Sequence, residues 1–122
     1  MTPIRRAGAD MPFVSTAMRV TGGLLTWAAH FAVIYGLTAL ACARGFADAA
    51  WLGIGVVSWG IGIATVVALA AIALLTAGAI RTVAKSVGGP VFGDWMTMAT
   101  GAAGVVAVIW QAIPVLIVPV CV

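Results

Sequence analysis

Three long apolar stretches dominate the chain, at about 20–43, 51–80 and 95–120. Each exceeds the roughly 20 residues that a helix needs to cross about 30 Å of hydrocarbon. None shows the alternation of outer-membrane barrel strands. In lipid the backbone must satisfy its own polar groups, so the stretches predict helices. The second is longer than one span requires and predicts tilt or a run into the interface.

Polar residues and turn formers fall between the stretches. Arg44, Gly45, Phe46 and Asp48 make a short connection suited to an antiparallel hairpin. A longer break holds Arg81, Lys85, Gly88, Gly89, Pro90 and Gly93, and Asp94 stands where a helix N-cap is expected before Trp95. Trp51 and Trp95 fall at span ends, where indoles anchor at the interface. The expected fold is an all-α integral membrane three-helix bundle. Residues 1–19 form a basic cytoplasmic segment and residues 20–122 the membrane domain.

Composition agrees. Of 122 residues, 64% are hydrophobic and 7% charged, far below the roughly 25% charged in ordinary soluble domains. That excludes a water-clothed surface, and disorder as well. The net charge of +3 does not mark a nucleic-acid binder, because the cations sit singly or in pairs beside apolar runs. They read as topology signals instead. Arg5, Arg6, Arg19, Arg81 and Lys85 fall on one side and Arg44 on the other, which predicts an N-inside, C-outside orientation in a bacterial inner membrane. Arg5 and Arg6 lack the hydrophobic pair of a twin-arginine signal. The residues before Cys42 miss a lipoprotein box by one place. The first span is therefore expected to stay uncleaved.

Inside the spans, chemistry is sparse. His30 is the one histidine, near the middle of span one. Intramembrane ionisable residues are functional candidates because lipid penalises them. The plain reading is a neutral imidazole bonded to a carbonyl or a threonine. The functional readings are contact with another subunit and axial ligation of haem. His30 lies about 15 Å from the inner end of its span. The other spans are expected to reach that depth near 67–71 and 103–106, where there is no carboxylate, cysteine or second histidine. A bis-histidine haem within one chain is excluded, and no metal-ligand set is apparent.

Trp27 shares a helical face with Gly23, His30, Ile34 and Ala41, while Tyr35 points towards Thr38 and Cys42. On span three, Thr100, Gly104, Ala107 and Gln111 form a stripe. On span two, Gly60, Ala64 and Ala68 form another. Small residues let helices approach and amides bond across them, so Gly60, Gly104, Trp27, His30 and Gln111 are candidate helix-contact or partner-contact residues. Pro114 is expected to kink or loosen the end of span three, and Pro119 to mark its stop. Cys42 and Cys121 both fall at outer ends. They are either bridged in an oxidising compartment or two buried free thiols. The acids Asp10, Asp48 and Asp94 read as caps and solvated loop residues, and no catalytic constellation is present.

Two patches carry a resemblance. One is Trp27, His30 and Phe31, followed by Tyr35, Gly36 and Leu37, and by Ala41, Cys42, Ala43 and Arg44. The other runs through Ile109, Trp110, Gln111, Ala112, Ile113 and Pro114 and ends in Pro119 and Cys121. Over about a third of its length the chain resembles small three-span membrane proteins encoded beside haem-copper (cytochrome c) terminal oxidases in proteobacteria. The resemblance implies an accessory or assembly-related role near an aerobic respiratory complex, and it transfers no catalytic residue.

Three functions follow as expectations. The first is a non-enzymatic accessory protein, without a cofactor, packed in the bilayer against a larger membrane complex. The second is a haem-binding or electron-transfer anchor that uses His30 with a ligand from a partner. The third is a self-assembling holin-like or secretion-channel subunit.

Overall fold

The computed structural model describes residues 4–85, 88 and 92–121, with side chains from Phe13 onward. Of the described residues, 85% are helical. Helix α1 spans Ile4–Arg44, α2 spans Val56–Lys85 and α3 spans Phe92–Ile117. Between α1 and α2 a small hairpin pairs strand β1 (Ala50–Trp51) with β2 (Ile54–Gly55), antiparallel. Within the described residues three stretches are long and apolar enough to cross a membrane: Phe13–Arg44, Val56–Lys85 and Phe92–Ile117.

The helix ends differ from the sequence expectation in three places. First, α1 runs from Ile4, so residues 4–19 of the segment assigned to 1–19 are the first part of the same helix. Second, residues 51–55 are hairpin, and α2 starts at Val56. The cause is local, since Leu52 and Gly53 both take positive φ (54° and 78°), as a two-residue hairpin turn requires. At its other end α2 continues past Ile80 to Lys85. Third, α3 begins at Phe92, which places Asp94 in its first turn rather than at the N-cap, and it ends at Ile117 with Pro114 inside. Gly88 lies in a turn. Gly89 and Pro90, read as breakers of the longer connection, lie outside the described residues.

The bundle buries small and β-branched side chains and turns its large ones outward. Leu24, Leu25, Phe31, Leu74 and Trp110 are exposed, whereas Ile34, Ala41, Val57 and Ile61 form one buried cluster and Ala68, Ile72 and Val108 another. This is the arrangement expected where lipid solvates the outside. Helices in lipid associate through close packing and interhelical hydrogen bonds instead of burying their bulkiest residues. Threonines on all three helices add little polarity, because Thr21, Thr26, Thr38, Thr65, Thr76, Thr82 and Thr97 each donate to the carbonyl four residues back.

Candidate functional site

The α1–α3 seam is built on glycine. A Cβ on Gly23 would stand 2.7 Å from the carbonyl oxygen of Thr100, and one on Gly104 would stand 3.0 Å from the carbonyl oxygen of Gly23. Only glycine permits that backbone approach. The Thr100 hydroxyl lies 2.7 Å from the Val20 carbonyl oxygen and reinforces the crossing. The α2 interfaces use glycine against side chains: Gly60 faces Leu37, Gly22 faces Leu75 and Gly101 faces Thr76. Of the span-two stripe, Ala68 is buried while Gly60 and Ala64 are half-buried.

His30 is 4% exposed. Its Nε2 lies 3.1 Å from the Thr65 hydroxyl on α2. Trp27, one turn earlier, is half-buried against the cluster of Ala68, Ile72 and Val108. It also begins an aromatic ladder, with Phe31 at 6.2 Å between ring centroids and Tyr35 4.7 Å beyond Phe31. Gln111 is half-buried, with its Oε1 wholly enclosed.

The depth expectation for His30 needs correction. Its α2 partner is Thr65, just outside the 67–71 bracket. On α3 the discrepancy is larger. The pairs Val20 with Thr100 and Gly23 with Gly104 set α1 and α3 in parallel register. That register puts Gln111, and not residues 103–106, at the level of His30. The reason is that α1 continues helically below Val20 and α3 packs along that extension, with Thr16 against Gly93.

Near the C-terminal ends of α1 and α3, Cys42 and Cys121 form a disulfide, with their Cα atoms 5.8 Å apart. It ties the end of α1 to the non-helical segment after α3. Val120 in that segment packs against the cluster of Ile34, Ala41, Val57 and Ile61. Next to the bridge lies a cavity of about 470 Å³, lined in part by Gly45, Asp48 and Pro119. At the opposite end of the bundle Arg19 pairs with Asp94 at 3.6 Å. Asp94 is buried, which corrects its reading as a solvated cap. As an acid in a first helical turn it also complements the helix dipole.

Tyr35 and Thr38 of α1 face Pro114 of α3 and Val118 just after it across an open groove of about 390 Å³. Tyr35 is 63% exposed and Trp110 is 78% exposed. Among the described residues the Tyr35 hydroxyl has no hydrogen-bond partner. By helical spacing Tyr35 lies off the His30 face. Its signal was a polar-tipped aromatic deep within an apolar run. Among the described residues no three His, Cys, Asp or Glu side chains gather as a metal site would require.

Comparison with family models, with curated proteins and with solved structures finds no match to this chain.

Proposed function

We propose that this protein is a non-catalytic accessory protein of the bacterial inner membrane that packs against a larger membrane complex. The observation that carries the reading is Tyr35. It stands nine residues before Arg44 on a continuous helix, about 13 Å deeper along the axis. Its hydroxyl is therefore exposed within the apolar band and unpaired among the described residues. Polar side chains in hydrocarbon are costly and bond across helices when a partner is present. The groove beside Tyr35 and the exposed Trp110 offer a second helix a surface, and that helix would supply the acceptor for the hydroxyl.

The proposed orientation is N-inside and C-outside. Arg19, Arg81 and Lys85 gather at one end of the bundle and Arg44 at the other, in line with the positive-inside rule. The disulfide supports the same orientation independently, since such bridges persist in oxidising compartments. The partner class offered by the sequence resemblance is an aerobic terminal oxidase.

Purification of the tagged protein from native membranes in mild detergent tests the reading. The expected result is a stoichiometric larger membrane complex whose recovery falls in Tyr35→Phe. A monomer with no partner, together with unchanged oxidase activity on deletion, would overturn it. A haem absorption band lost in His30→Ala, or discrete homo-oligomers on native gels, would replace it with the anchor or the self-assembling reading.

A further inference from the structure

Two side-chain atoms in the bundle interior are buried and accept no hydrogen bond from any described residue: Nδ1 of His30 and Oε1 of Gln111. Their places in the fold are related. Gly23 and Gly104 meet at the α1–α3 crossing. His30 is seven residues after Gly23, and Gln111 is seven residues after Gly104. Seven residues are close to two helical turns, or about 10 Å of rise, and return a side chain to nearly the same face. Because α1 and α3 run parallel, the residues two turns above the glycine contact face the same seam at the same height. The helices are held together below by Gly23 and Gly104, and above by the Cys42–Cys121 bridge.

The hydrogen-bond chemistry of the pair is specified by Thr65. Its hydroxyl has one proton, which it donates to the Ile61 carbonyl at 2.7 Å. The Thr65 oxygen is then an acceptor for His30, 3.1 Å away, so Nε2 of His30 carries the ring proton. Nδ1 is left as a bare lone pair. Gln111 Oε1 is an acceptor as well. Two acceptors cannot satisfy each other, and each is costly to leave unmade in a low-dielectric interior. The group that satisfies both has two hydrogens to donate and is small enough for the seam between packed helices. Water meets both requirements.

We propose that His30 Nδ1 and Gln111 Oε1 form an internal hydration site that binds one water molecule as a double donor. The resulting chain runs from the Ile61 carbonyl through Thr65, His30 and the water to Gln111, and it joins all three helices within the membrane. This site is internal to the bundle and does not depend on any partner complex.

Magic-angle-spinning NMR of the 15N-labelled protein in lipid bilayers tests the site directly. The expected result is a neutral His30 protonated at Nε2, with magnetisation transfer from one bound water to both the His30 ring and the Gln111 carboxamide. Protonation at Nδ1, or water transfer to one of the two residues and not the other, would overturn the proposal. A double-mutant cycle with His30→Phe and Gln111→Leu gives a second readout. A shared water predicts that the double variant loses less than the product of the single losses, by at least about twofold in the unfolding constant. Strict additivity would count against it. Where a variant does not fold, the spectra of the unaltered protein decide.

Discussion

Gly23 and Gly104 meet backbone to backbone where α1 crosses α3. The atoms that a Cβ on Gly23 would strike belong to the Thr100 and Gly101 backbone, which cannot rotate away. Gly23→Ala is therefore expected to destabilise the bundle by about 1–3 kcal/mol, the usual cost of overpacking. Gly36→Ala is the control. It meets nothing within 4 Å and should be neutral, or stabilising by up to about 1 kcal/mol through helix propensity. Unfolding in mixed micelles compares the two.

Thr100 offers a subtler test at the same crossing. Thr100→Val keeps the shape and removes the hydroxyl that reaches the Val20 carbonyl. Interhelical hydrogen bonds in membranes are worth about 0.6 kcal/mol on average, with a maximum near 1.7. A loss in that range by the same unfolding assay is expected. A stability equal to that of the parent would place the Thr100 proton on the Met96 carbonyl of its own helix instead.

The Cys42–Cys121 bridge closes a loop across nearly the whole bundle, with a sequence separation of 79. Non-reduced protein should resist maleimide labelling and take up two labels after reduction. Reduction, or Cys42→Ser, should lower the unfolding midpoint, in line with the 2–4 kcal/mol that disulfides typically contribute. Hydrogen exchange should then rise first around Val120, whose seat against the cluster of Ile34, Ala41, Val57 and Ile61 depends on the tether.

At the end of the bundle away from the disulfide, the Arg19–Asp94 pair predicts an asymmetry. Arg19 is half exposed and Asp94 nearly enclosed, with side-chain exposures of 49% and 12%. Arg19→Gln should cost less than about 1 kcal/mol, as exposed pairs do. Asp94→Ala should cost more, because it also removes the acid from the first turn of α3. Raised salt should narrow the gap between parent and Arg19→Gln.

The proposed orientation has its own readout. An alkaline phosphatase domain fused after Val122 should be active outside the cytoplasm, and the same domain fused before Met1 should be inactive. The reverse pattern would place the disulfide in a reducing compartment and sink the N-inside assignment.

Much of the architecture can be read from the chain. Uninterrupted apolar runs require helices in lipid, and glycines and alanines at helical spacing mark where they approach. The element boundaries were less legible. Leu52 carries no turn signal of its own, so an apolar run concealed a hairpin. The basic start looked like a tail because its charges outweighed a helical continuity that only packing against α3 reveals. Gly23 was visible as a member of a face. Its backbone contact with Thr100 was not, since that depends on how far α3 slides along α1.

Composition and pattern alone determined the solvent of this protein, its three helices and the scarcity of its chemistry, because lipid leaves the backbone few alternatives. Only the tertiary structure decided the register of α3 against α1. Small-residue stripes repeat every turn and fit several offsets almost equally well. The glycine contact and the disulfide select one of them. In that register His30 meets Thr65 and stands at about the level of Gln111, the placement on which the proposed hydration site rests.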